Sequence, residues 1–164
     1  VFLPRGSLRR PKIEISIKPC GVKSWSMFRR HHYLTGKINK ASHCWIALWG
    51  DQVVGFASAI SMPSGTLHNA WRAHRTVVLP DYQGLGIGTR LSDAVGQLFI
   101  NKGKRYYSKT THPRFGEYRN RSPLWRATGK NMRKRRSADH SSYQYWKARS
   151  VFCYSHEYIG PINE

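Results

Sequence analysis

Apolar and polar positions alternate along Ile13-Glu14-Ile15-Ser16-Ile17, which predicts an opening strand ended by Pro19 and Gly21. Ser24 to Leu34 reads as a short helix, with Ser24 at its N-cap and Trp25, Phe28 and His32 on one face. Two apolar runs, 44–49 and 52–60, flank Gly50-Asp51 and predict a hairpin; residues 72–79 predict a further strand, ended by Pro80-Asp81. From Gly86 the period changes. Ile87, Leu91, Ala94, Val95, Leu98 and Phe99 recur at steps of three and four, an amphipathic helix that Gly103 stops. Residues 105–111 read as the next strand. Residues 122–128 read as a short helix with Ser122 at its N-cap and Pro123 in its first turn, the 130–136 run as mobile, and 143–146 with 151–158 as a closing antiparallel pair. This order predicts a mixed α/β (α+β) domain.

At 164 residues the chain is expected to form one domain over 11–164, with residues 1–10 a basic segment outside the fold. Leu3-Pro4-Arg5-Gly6-Ser7 resembles a protease-site remnant. No apolar run approaches the roughly 18 residues that span a membrane, and no signal peptide is visible, so a cytoplasmic protein without a membrane partner is expected. Cys20, Cys44 and Cys153 form no CxxC pair and read as inert thiols in a reducing compartment.

Charge changes the picture most. The net charge is +20, and it is unevenly placed: residues 1–40 carry +9, 41–101 none, 102–136 +12 and 137–164 −1. Such repulsion asks for a polyanionic partner, with DNA favoured and RNA an alternative. The expected contacts lie in the basic 102–136 region: Lys104, Arg105, Arg114, Arg119, Arg121, Arg126, Lys130, Arg133, Lys134, Arg135 and Arg136. Tyr106, Tyr107, Phe115, Tyr118 and Trp125 among them suit base stacking.

The most informative segment is Val77-Val78-Leu79-Pro80-Asp81-Tyr82-Gln83-Gly84-Leu85-Gly86-Ile87-Gly88-Thr89. A strand runs into a loop of alternate glycines that opens a helix, where free N–H groups and the helix dipole converge on an anion. The GxxxxGK[ST] pattern is absent. A GxGxxG reading fails at Thr89 and at Leu91, and Lys104 and Arg105 lie where an acidic residue is needed.

Gln83-Gly84-Leu85-Gly86-Ile87-Gly88 resembles the pyrophosphate loop of the GNAT superfamily, [QR]-x-x-G-x-[GA], and Val77 to Pro80 resembles its central strand and link. The resemblance covers residues 13–129. It implies a mixed, mostly antiparallel central sheet flanked by helices and splayed at its middle. It also implies acetyl-CoA or another acyl-CoA as the donor. Val77, Val78 and Leu79 would pair with pantetheine, and the amides of Gln83, Gly84, Leu85, Gly86, Ile87, Gly88 and Thr89 would hold the pyrophosphate.

Two departures stand out. The family often has a carboxylate base on the central strand, where Arg72-Ala73-His74-Arg75-Thr76 has none. Asn120 to Gly129 resembles the family's Asn…LYxxxG stretch, which makes Asn120 a cofactor contact, but Trp125 stands in the tyrosine's place and cannot donate a proton to a thiolate. Replacement groups are Tyr33 as a hydroxyl, His32 as a near-neutral base, Ser122 as a hydroxyl donor and Arg75 to orient a phosphate or carbonyl. The glycine loop, the His32-Tyr33 pair and the basic body together are similar to the Mom-like DNA-modification proteins of phages. That similarity implies carbamoylmethylation of the adenine amine, a host-cytoplasm location, an anti-restriction role and a metal, iron for instance, near His32 and Tyr33. The alternatives are a toxin-like tRNA- or protein-amine N-acetyltransferase and a non-catalytic nucleic-acid-binding scaffold. A homodimer stays open.

Overall fold

The computed structural model describes residues 12–32, 36–134 and 152–161. Seven strands form one sheet in the order β1-β2-β3-β4-β5-β8-β6. They are β1 (Ser16–Cys20), β2 (His43–Trp49), β3 (Gln52–Ser61), β4 (Ala70–Val78), β5 (Arg105–Thr110), β6 (Trp125–Ala127) and β8 (Phe152–Tyr158). A two-residue β7 (Arg133–Lys134) pairs β8 off this path. Every pairing is antiparallel except β4 with β5. The mixed, mostly antiparallel sheet is the architecture expected.

Two helices follow the diverging strands: α1 (Ile87–Ile100) after β4 and α2 (Pro113–Arg121) after β5. The first has the predicted apolar stripe. Ile87, Leu91, Val95 and Phe99 pack with Trp45, Val54, Ala57, Tyr106, Trp125 and Tyr158 on one face of the sheet. On the other face Trp25 and Phe28 pack against Cys44, Phe56 and Val77. They come from 3-10 turns, Val22–Met27 and Arg29–His31, entered through Gly21. The predicted Ser24-capped helix is therefore corrected. Clusters of Ser, Trp and His residues favour helix only weakly, and docking of two aromatic rings decides the local form.

Three further expectations change. Pro19 lies inside β1, opposite Trp45, rather than ending it; β1 is an edge strand, where a missing N–H is harmless. Residues 125–127 are strand, not helix, and Ser122 is the C-cap of α2. Residues 133–134 of the run read as mobile pair with Cys153 and Phe152. The proposed 143–146 strand lies outside the described residues, whereas its partner is β8. Among the described residues no helix is long and apolar enough to cross a membrane.

Two bulges set which side chains face where. Ala47 pairs Gly55 while Leu48 pairs Val53, so Val54 is an extra residue in β3. Ser58 pairs Arg75 while Ala59 pairs Ala73, so His74 is the extra residue in β4. Each bulge moves the following side chains to the opposite face. Beyond the second, Val77 joins the Trp25 face and Val78 the α1 face.

Candidate active site at the parting of two strands

β4 and β5 pair only at Ala70–Arg105, Trp71–Tyr106 and Arg72–Tyr107. Beyond that, β4 runs on to Val78 while β5 turns to β8 as far as Thr110. The two parallel strands thus part, with α1 following one and α2 the other. The gap leaves a β4 backbone edge without a strand partner on that side, and it opens toward the start of α1.

The loop between β4 and α1 is tied down at both ends. Gln83 Nε2 donates to the Val78 carbonyl at 3.0 Å, and Thr89 Oγ1 donates to the Gly86 carbonyl at 2.9 Å. Gly84 and Gly86 have φ of 83° and 81°, and a Cβ on either would meet nothing within 4 Å, so their requirement is conformational. Gly88 is different: its Cβ would stand 3.0 Å from Phe115 Cζ and 3.3 Å from Val78 Cγ2. It permits α1, β4 and α2 to close on one another. Ile87 is buried and anchors the helix start, while Leu85 is exposed at the loop tip. With no acidic side chain in its first turn, α1 presents free N–H groups and the positive end of its dipole. One detail of the expectation is corrected. The Leu79 N–H donates to the Val54 carbonyl at 2.9 Å and is spent within the sheet, and the Val78 carbonyl already accepts from Gln83.

Across the sheet, His32, His74 and Arg75 come together. Arg75 Nη1 donates to the His74 carbonyl and Nη2 to the Lys37 carbonyl, both at 3.1 Å, so it straps residues 36–39 to β4. His74 Nε2 accepts the Asn39 N–H at 3.2 Å, which puts the ring proton on Nδ1. Burial, and then the nearby Arg75 guanidinium, push His32 down to about 4. Burial followed by the charges of Arg75 and Arg72 does the same to His74, also about 4. Both imidazoles are therefore neutral at pH 7. His74 was missed as a candidate; its signal was a histidine on the central strand where a carboxylate is usual. Tyr33 lies outside the described residues. No group of three or more His, Cys, Asp or Glu side chains that could hold a metal occurs among the described residues, and Arg75 beside His32 disfavours a cation there. Among the described residues, nothing beside His32 fits the iron expectation.

The second group of candidates is displaced. Asn120 ends α2, where its Oδ1 accepts from His156 Nε2 at 2.8 Å and Asn131 Nδ2 at 3.1 Å. Those bonds fasten α2 to β8, and Asn120 is corrected as a cofactor contact: it lies about 7 Å along the helix from Phe115. Ser122 Oγ accepts the Leu124 N–H at 3.3 Å, so it serves a turn. Trp125 is on β6, buried, with Nε1 donating to Asp93 Oδ1 at 2.7 Å. The tyrosine of the helix after β5 is Tyr118, and its hydroxyl donates to Asp93 Oδ2. Burial, then the Asp93 carboxylate, push its pKa up.

The basic residues also sort. Arg119 is 3% exposed, stacked 4.5 Å over Trp125 with Nη2 donating to Ser92 Oγ at 2.9 Å. It cannot touch a nucleic acid, and burial pulls its pKa down to about 10. Arg105 Nε and Arg126 Nη2 donate to Glu157 at 2.7 and 2.8 Å, and Lys104 lies 4.8 Å over the Trp71 ring. Arg114, Arg121, Lys130 and Arg133 are exposed. Lys134 is in β7, while Arg135 and Arg136 lie outside the described residues.

A model of the acetyltransferase (GNAT) family matches residues 11–118. The chain belongs to this family. As a GNAT member it is an acyltransferase whose donor is acetyl-CoA or a related CoA thioester. Solved structures share the fold. The IAA acetyltransferase from Bacillus cereus is 13% identical at a TM-score of 0.58, covering 88% of this chain and 99% of its own. The ribosomal-protein-S18-alanine N-acetyltransferase from Escherichia coli is 10% identical at 0.61, covering 92% and 97%. A Bacillus subtilis acetyltransferase, solved in complex with CoA, is 10% identical at 0.56, covering 92% and 100%. No curated protein matches this GNAT chain in sequence.

Proposed function

We propose that this GNAT domain, spanning residues 11–164, transfers an acyl group from a CoA thioester to an amine carried by a nucleic acid, the exocyclic amine of adenine in DNA first among them. The parting of β4 from β5 beside the Gly84–Gly86 turn carries the donor half of this reading. The thioester arm would lie along the β4 edge, with the diphosphate on the amides from Gln83 to Thr89.

The acceptor half rests on charge and on the histidines. Lys37 and Lys40 are exposed and Arg75 lies beside His32, while the carboxylates of the described residues lie on other elements. The amine nitrogen attacks the thioester carbonyl, an N–C bond forms, and the C–S bond breaks to release CoA as thiolate. Once bonded to that carbonyl the nitrogen is strongly acidic, so a weak neutral base suffices. His32, a neutral imidazole beside Arg75, takes that proton. The thiolate is reprotonated from solvent. Tyr118, a tyrosine on the late helix, favours a second reading in which the amine is the α-amine of an aminoacyl-tRNA.

The test is mass spectrometry of nucleosides digested from duplex DNA after incubation with the protein and acetyl-CoA. A new deoxyadenosine mass, lost with His32→Gln, is expected. An unmodified digest, with acetylated aminoacyl-tRNA in a parallel reaction, overturns the DNA reading for the second one. DNA from cells expressing the protein separates an acetyl from a carbamoylmethyl group, the Mom-like product.

A further inference from the structure

Asp93 is a buried carboxylate on α1, next to the buried Ser92 and among the apolar Leu91, Val95 and Phe99. An ionisable group in such a place costs stability unless its partners hold it, and an apolar residue would pack there without that demand. Its partners come from the other side of the parted sheet. Oδ2 accepts from Tyr118 on α2 and Oδ1 from Trp125 on β6, 2.7 Å away. One residue earlier, Ser92 Oγ accepts from Arg119 on α2 at 2.9 Å. Burial pushes the Asp93 pKa up, and the hydrogen bonds and the charge of Arg119 oppose that rise.

These bonds span the two halves of the sheet. α1 continues β4, α2 continues β5, and the strands themselves touch at only three residue pairs. Asp93 lies two turns into α1, beyond the loop assigned to the diphosphate. We infer that Asp93 is a positioning residue: with Tyr118 and Trp125 it fixes the separation of α1 from α2, and so the width of the donor slot. The inference rests on the donor site proposed above. It explains a buried carboxylate that the chemistry of transfer does not use. A ligand touching both walls then depends on these bonds. A ligand that touches only the α1 start does not.

The experiment measures CoA affinity by calorimetry for the wild type, Tyr118→Phe, Trp125→Phe and Asp93→Asn, with the melting temperature of each in the absence of CoA. Inorganic pyrophosphate, followed by amide NMR shifts, is the one-wall probe. Each variant that melts cooperatively is expected to bind CoA at least about tenfold more weakly, with the pyrophosphate midpoint unchanged. The Tyr118→Phe and Trp125→Phe losses are expected to be non-additive in the double variant. Should Asp93→Asn fail to fold, the two aromatic variants decide alone; both keep the carboxylate, and Tyr118→Phe also keeps its ring. CoA affinity within twofold of wild type in folded variants overturns this inference and leaves the donor site standing. Equal weakening of CoA and pyrophosphate also overturns it, since a general loosening would do that. A wild type that binds no CoA removes the donor site, and this inference with it.

Discussion

A side chain at Gly86 must adopt a φ of 81°, and it would project into the space in front of the loop. Left-handed backbone costs an L-residue about 1–2 kcal/mol, which the domain can tolerate, but a branched side chain there obstructs the diphosphate. Gly86→Val is expected to abolish CoA binding in calorimetry while duplex affinity is retained; loss of both would merge two surfaces that are separate here. The histidines make a pH prediction. His32, His74 and His156 have pKa values pushed down to about 4, by burial first and neighbouring arginines second, against 6.5 for the ordinary group. Between those values the unfolded chain binds more protons than the folded one, so their contribution is full above pH 6.5 and is lost as pH falls toward 4. Urea midpoints should fall over that window, and less so in His156→Asn. The glycine loop was legible in the sequence because its chemistry is local. Trp125 was misread because spacing alone cannot tell that β6, not a helix, carries it, nor that Asp93 binds its indole.

Among the elements, α1 was legible and α2 was not. Periodic Ile87, Leu91, Val95 and Phe99 announce the first, but the buried side of α2 is Gly116 and Arg119, which carry no apolar period. Gly116 shows why. A Cβ there would stand 2.0 Å from the Tyr154 ring, and at Gly96 of α1 one would stand 2.6 Å from the Tyr158 ring. Both helices press on β8 through a missing side chain. Gly116→Ala should therefore destabilise by at least about 2 kcal/mol in chemical denaturation, from overpacking against backbone-anchored rings. The strand bulges were equally hidden, since Val54 and His74 break an alternation that the sequence pattern otherwise carries through. β8 is also held by charge. Burial pushes the Glu157 carboxyl up, but hydrogen bonds from Arg105, Arg126 and Tyr107 outweigh it and hold the pKa below the usual carboxylate range. Glu157→Gln is expected to lower the melting temperature at pH 7 and to matter least at acid pH, once the native carboxyl is itself protonated.

For the whole molecule, the charge of +20 was legible as a quantity but not as a surface. Burial removes Arg119 from it, and Glu157 engages Arg105 and Arg126. Arg114 and Arg121 on α2 remain exposed. Replacing both with Gln should weaken duplex binding and reduce the slope of log affinity against log salt by about 2, with the fold intact. An unchanged slope would place the polyanion elsewhere. The position of β8 has a different consequence. It lies between β5 and β6, so β5 has only its three residue pairs with β4, and β6 has no strand beside it in the sheet, until residues 152–158 have left the ribosome. At roughly 5–20 residues per second, the rings of Tyr106 and Trp125 wait for seconds in a half-assembled nascent chain. Synthesis of this protein thus includes an interval in which its aromatic interior is open to chaperones, and a strand made late is the one that closes it.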